Sequence, residues 1–177
     1  MGGCLDSPDD GGDPPPPGNL LVNAAFEDGI AGWTFDGAVE LGTTEELGLP
    51  ASEAGPNVAL LGREDNEVDR VSQDVVVPID AHSLALTGLR CFATYEAGGQ
   101  AFDSFTIFLE ADDGESSDVL VRQSNLDAMQ GTCDWLPFEL ATADHAGENL
   151  RFVIEVVMDP DVESLFAVDG LALTASP

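Results

Sequence analysis

Any chemistry in this chain falls to carboxylates. Asp and Glu number 34 against 5 Lys and Arg, a net charge of −29, and the cations are Arg63, Arg70, Arg90, Arg122 and Arg151 with no lysine. Acids gather at Glu64, Asp65, Glu67 and Asp69, at Asp112, Asp113, Glu115 and Asp118, and at Asp159, Asp161 and Glu163. The first group has the alternation of a calcium loop, but Arg70 follows Asp69 where the EF-hand turn requires glycine. All three groups fall between strand-like runs and are expected to be solvated loops. His82 and His145 follow Asp80 and Asp144 in loop-like segments and are expected at the surface. Neither His-Glu-x-x-His nor Gly-x-Ser-x-Gly occurs, and Gly-x-x-x-x-Gly-Lys is impossible without lysine. A glycosidase needs two carboxylates at one of two separations, and nothing marks such a pair here. The expectation is a chain without catalysis.

The charge excludes other classes directly. So negative a field repels phosphate backbones and anionic headgroups, which argues against nucleic-acid binding and polybasic membrane docking. No run approaches the ~20 apolar residues of a spanning helix. Sugar recognition would use aromatic platforms, and the supply is two Trp, one Tyr and nine Phe. Tyr95 shares a strand face with Cys91 and Ala93, whereas Phe92 and Phe108 fall on the opposite parity from their apolar neighbours. Pointing to a concave outer face, these aromatics would form a ligand surface with Arg90, Arg122 or Gln123 as donors. The competing reading is a second buried layer.

The elements that must position these residues are strands. Leu150, Phe152, Ile154 and Val156 alternate with Arg151 and Glu155, and Phe105, Ile107 and Leu109 with Ser104, Thr106 and Glu110; period two means β. Further runs are 33–41, 58–62, 68–77, 83–95, 119–123, 135–142 and 165–174, bounded by Gly, Pro, Asn or Asp. About nine or ten such strands with no amphipathic helix predict an all-β, two-sheet antiparallel sandwich, for which jelly-roll topology is a common solution. Residues 1–18, with Asp6, Asp9, Asp10, Asp13 and the run Pro14–Pro17, are a linker that favours extended polyproline II. The folded domain is 19–177. Cys91 and Cys133 each fall in a strand-like segment, so a disulfide between them is one reading and two buried thiols the other.

Four sets of residues carry a resemblance. Gly2-Gly3-Cys4, before an acidic, proline-rich tether, resembles the end of a bacterial lipoprotein signal, whose cysteine is acylated. Only three residues precede Cys4, so the chain is expected to be a truncated or recombinant form with Met1 as a start codon. Asn19-Leu-Leu-Val-Asn-Ala-Ala-Phe-Glu-Asp-Gly29 with Gly32-Trp33 resembles the first strand of the galactose-binding-like jelly rolls, the superfamily of many carbohydrate-binding modules. Phe166-Ala-Val-Asp-Gly-Leu-Ala-Leu-Thr174 resembles their last strand, with Gly170 where a second Asp is common. The segments 57–62, 71–78, 102–109 and Ser124-Asn-Leu126 with Trp135 resemble the accessory domains of secreted bacterial peptidases.

What the resemblance implies is a module, not an enzyme. Many such jelly rolls hold a structural Ca²⁺ where the first and last strands meet; carried over, Glu27 and Asp169 supply carboxylates and backbone carbonyls complete the shell. Ca²⁺ wants ~6–8 hard oxygens, and a cation there relieves like-charge repulsion. Export implied by Cys4 places Cys91 and Cys133 in an oxidising compartment. Two functions stand from this reading. One is a lipid-anchored binding module at the bacterial cell surface or outer membrane, or secreted, that recognises glycan or another extracellular polymer. The other is a structural or protein-interaction subunit docking onto a cell-surface or filament partner. Acidity without lysine also fits a saline habitat.

Overall fold

The computed structural model describes residues 18–111, 117–142 and 145–177. Eleven strands follow one another: β1 (Thr34–Asp36), β2 (Glu40–Thr43), β3 (Asn57–Leu61), β4 (Val68–Val76), β5 (Ser83–Thr94), β6 (Ser104–Ala111), β7 (Ser117–Ser124), β8 (Met129–Gln130), β9 (Leu136–Thr142), β10 (Asn149–Val157) and β11 (Ser164–Ser176). A 3-10 turn, Asn125–Asp127, joins β7 to β8. One sheet has five strands in the order β1-β4-β10-β6-β7; the other has six, β2-β3-β11-β5-β8, with β9 also paired to β5. All pairs are antiparallel except β5 with the two-residue β8. The expected all-β sandwich is the observed architecture.

Alternation builds the space between the sheets. Phe152, Ile154 and Val156 of β10, Phe105, Ile107 and Leu109 of β6, and Val71 and Val75 of β4 all point inward against β5 and β11. At its centre Phe92, Phe105 and Phe166 meet with ring centroids 4.7, 4.9 and 5.8 Å apart. Each buried aromatic of this kind contributes about 1.5–3 kcal/mol by burial, with about 0.5–1.5 kcal/mol more per ring pair.

A second apolar cluster lies on the outer face of the six-stranded sheet. Leu60, Cys91, Ala93 and Ala167 pack there against Cys133, Leu47, Leu49 and Trp135. The Trp135 indole N–H donates to the Pro50 carbonyl at 2.8 Å. Cys91 and Cys133 form a disulfide with Cα atoms 5.2 Å apart. Loop 44–56 and the segment before β9 are thereby fastened over this sheet.

Two local readings of the sequence are corrected. The run 33–41 is not one strand: β1 joins the five-stranded sheet and β2 the six-stranded one. The break is at Gly37, φ 87°, where a Cβ would collide with the Asp69 carboxylate and lie 2.6 Å from the Val68 carbonyl oxygen. Asp69 is accordingly no solvated loop acid. It is fully buried and accepts the backbone N–H groups of Ala38 at 2.6 Å and Gly62 at 2.7 Å, fixing the crossover between sheets. The second correction concerns 19–29, which is a chain of turns with one bridge, Asn19 to Thr174, instead of a first strand. Asn23 (φ 48°) and Phe26 (φ 58°) take left-handed conformations no strand allows. Side-chain amides stand in for the missing ladder. Asn23 Nδ2 donates to the Gly29 and Ala31 carbonyls, and Asn19 Oδ1 accepts from Leu21 and Leu173 N–H.

Candidate functional site

One broad sheet face has no apolar cluster over it among the described residues: the outer face of the five-stranded sheet. Strand register fixes what it displays. One row across the sheet runs Thr34, Ser72, Val153, Phe108, Val119, and the next Asp36, Arg70, Glu155, Thr106, Arg122. A third holds Asp74, Arg151 and Glu110. Three of the chain's five cations, Arg70, Arg122 and Arg151, thus stand on one face opposite four carboxylates, so this face is close to neutral in a molecule of charge −29. Arg70 pairs with Glu155, its Nε donating at 2.7 Å, and Arg151 Nε donates to Asp74 at 2.9 Å. Val153 is buried yet belongs to neither apolar cluster, flanked by Ser72 and the half-buried Phe108.

At one margin the face dips into a depression of about 420 Å³ lined by Val22, Gly32, Thr34, Ser72, Asp74 and Arg151. Its wall is held by Gln73, whose side-chain amide accepts from Val22 N–H at 2.6 Å and donates to the Val22 carbonyl at 3.0 Å. Gly32 keeps it open, because a Cβ there would stand 3.2 Å from Gln73 Nε2. Guanidinium donors, carboxylate acceptors, the hydroxyls of Thr34, Ser72 and Thr106 and one aromatic ring on one sheet face are groups that can engage a saccharide. A second shallow hollow of about 550 Å³ lies on the other sheet, between Glu53–Ala54 and β9.

The residues singled out in the sequence do not form one patch. Phe108 and Arg122 are on the open face, whereas Gln123 sits on the inward parity of β7 opposite Phe105. Phe92 is corrected outright: at 4% exposure its ring is part of the aromatic core, because β5 turns that parity toward the opposite sheet. Arg90 shares this parity, its guanidinium 5.2 Å from the Phe92 ring centroid and its Nη1 buried without a hydrogen-bond partner. Tyr95 is exposed just beyond the end of β5, away from the open face. What the sequence reading missed is the charge lattice of Arg70, Ser72, Asp74, Arg151 and Glu155. Alternation places these residues outward; only the pairing of β4 with β10 makes them neighbours.

Glu27 and Asp169 are brought together. Asn19 Nδ2 donates to the Leu171 carbonyl and Leu171 N–H to the Ala24 carbonyl, pinning the N-terminal turns along β11. Asp169 is fully buried at an irregularity of β11; it accepts from Gly170 N–H at 2.6 Å and from the Ser52 hydroxyl. Glu27 accepts from Asn57, backbone N–H at 3.1 Å and side-chain amide at 2.9 Å. Gly55 leaves room for it, since a Cβ would collide with the Glu27 carboxylate. Burial lifts Asp169 to about 6; the Ser52 and Gly170 bonds pull it down and the Glu27 charge pushes it further up. Two carboxylates and the Ser52 hydroxyl, with no arginine or histidine paired to either acid among the described residues, are hard-oxygen donors of the kind Ca²⁺ takes. No group of three His, Cys, Asp or Glu is gathered for a metal among the described residues.

The remaining acids divide. His145 is not a free surface residue: its ring nitrogens lie 2.9 Å from Glu148 and 3.3 Å from Asp118, which also accepts from Thr142 at 2.6 Å. Burial alone would depress His145, but the bonds and charges of Glu148 and Asp118 outweigh it and hold the imidazole above its usual value. Asp118 thus closes one edge of the sandwich, from β7 to β9. Cys4, the linker acids, Asp112, Asp113, Glu115 and Asp144 lie outside the described residues.

No protein-family model matches the chain, and no curated protein matches it. Solved structures do. A family 61 carbohydrate-binding module in complex with β-1,4-galactotriose aligns at TM-score 0.63 and 16% identity, over 89% of this chain and 99% of that one. Family 16 Carbohydrate Binding Module-2 aligns at 0.55 and 18%, over 88% and 99%. The K2 cleaved adhesin domain of Lys-gingipain aligns at 0.53 and 11%, over 86% and 97%. At such identities the likeness establishes the fold: the jelly-roll β-sandwich of the carbohydrate-binding modules, as the order of the sequence motifs implied.

Proposed function

We propose that this chain is a non-catalytic, extracellular glycan-binding module that takes its ligand on the outer face of the five-stranded sheet. The observation that carries the reading is that Arg122 and Arg151 stand on the strands flanking Phe108, one register step away, with Arg70 on the same sheet face, which among the described residues has no apolar cover and borders a polar depression. A pyranose laid on Phe108 buries its C–H face, and its hydroxyls exchange water for charge-assisted bonds to the guanidinium and carboxylate groups. Pre-paired Arg70–Glu155 and Arg151–Asp74 hold those groups in place before the sugar arrives. In this reading Glu27 and Asp169 hold a structural Ca²⁺ that ties the N-terminal turns to β11. Acylated Cys4 tethers the module to the bacterial surface, and the disulfide agrees with an oxidising compartment.

The test is titration calorimetry against a panel of β-1,4-galacto-, xylo- and cello-oligosaccharides. Phe108→Ala and Arg122→Ala are each expected to weaken binding at least tenfold, about 1.4 kcal/mol, while Tyr95→Ala leaves it unchanged. Equal affinity in all three variants would place the ligand elsewhere. The fold is also that of an adhesin domain, which favours a protein-interaction subunit as the second reading. Silence across the glycan panel together with a defined surface-protein complex would establish that reading instead.

A further inference from the structure

At the end of the sandwich beyond β5, two acids are buried with nothing to neutralise them. Asp103 is 0% exposed and Glu96 7%. Asp103 Oδ1 accepts the Asp159 backbone N–H at 3.0 Å, but its Oδ2 has no hydrogen-bond partner, and neither has Glu96 Oε1. Asp159 in turn accepts from Asp161 N–H at 3.0 Å, which keeps both of these acids on the same short loop. No arginine or histidine among the described residues pairs with any of the four. Burial, then the charges of Asp159, Asp103 and Asp161, hold Glu96 above the usual carboxylate range, against the pull of Val162 N–H.

The backbone under this pair is clamped from both sides. Asn125 accepts from Phe102 N–H at 2.9 Å, donates its amide to the Gln100 carbonyl at 3.1 Å and its N–H to the Asp103 carbonyl at 3.3 Å. The Gln130 amide donates to the Glu96 carbonyl at 2.7 Å, and Asn66 N–H to the Asp159 carbonyl at 2.8 Å. Orphaned buried carboxylate oxygens on a rigid frame are unfavourable unless a counter-ion shares them. All the groups offered are hard oxygens, which selects a calcium-like cation over zinc or copper.

We propose that Glu96 and Asp103 are ligands of a second divalent-cation site, of calcium type, with Asp159 and Asp161 adding charge at its mouth. It is independent of the Glu27–Asp169 pair. Asp169 pairs with Leu89 and Ser164 with Thr94, so the sites are five strand residues apart, roughly 17 Å.

The experiment counts Ca²⁺ bound by the chelator-stripped full chain in equilibrium dialysis. Glu96→Gln/Asp103→Asn is expected to bind one ion fewer than the wild type, and Glu27→Gln/Asp169→Asn to lose a different one, so that either site can fail alone. Equal counts in the wild type and Glu96→Gln/Asp103→Asn overturn the proposal. Hydrogen exchange on the wild type tests it without any variant: Ca²⁺ is expected to slow amides in 95–104 and 158–163 at least tenfold. Unchanged exchange in those segments, whatever happens at 51–57 and 168–171, also overturns it.

Discussion

Asp169 converts burial into a pH dependence. Its carboxyl stands at about 6 against an ordinary 3.8, so the folded chain holds this proton more tightly than the unfolded chain. The sign follows from linkage: without metal its contribution is fully present below about pH 4 and is lost as pH rises through about 6. At about 1.4 kcal/mol per unit the loss is roughly 3 kcal/mol. Urea melts in chelator at pH 4.5 and 7.5 should show this fall, and Asp169→Asn should remove it. A bound Ca²⁺ needs the ionised carboxylate, so its stabilisation should grow over the same interval. That Glu27 and Asp169 come near each other is what the family resemblance of the two terminal motifs implied. The burial of Asp69, Glu96 and Asp103 was not legible in the sequence. An acid between strands has the same local signature whether water or a folded-back loop covers it, and here long-range contacts cover it.

Elements show the same division. Period two placed β4, β6 and β10 because each buries one face against the opposite sheet and turns the other outward. It failed at 33–41, where one apolar run serves two sheets; the first strand that the family resemblance implied at 19–29 is instead a series of turns in which asparagine amides replace strand pairing. Phe92 and Phe108 had equivalent parity arguments, yet one is core and the other is on an outer face. The inward side of β5 depends on which sheet it joins, and local sequence does not specify that. The disulfide fastens β5 to the segment before β9 across 42 residues. Closing a loop of that length corresponds to about 4 kcal/mol in the chain-entropy account. Cys91→Ser/Cys133→Ser, or reduction of the wild type, should lower unfolding free energy by about 2–4 kcal/mol in urea melts. Loss of the second cluster's packing should appear as greater exposure of Trp135 fluorescence.

For the whole molecule the dominant fact is charge. With 34 acids against 5 arginines, self-repulsion opposes the compact state. Raising NaCl from 0.1 to 1 M shortens the screening length from about 10 to about 3 Å. The melting temperature should therefore rise, by about 2–4 °C for each kcal/mol relieved; a fall would mean that specific surface pairs outweigh the repulsion. Against that field the outer face of the five-stranded sheet is exceptional, holding three of the five arginines, two of them on the strands flanking Phe108. Chemical-shift mapping of the isotope-labelled protein with a bound oligosaccharide tests its role most directly. Amides of β6, β7 and β10 around Phe108, Arg122 and Arg151 should shift while those of β9 stay in place. Shifts confined to β9 and the Glu53–Ala54 loop would contradict it.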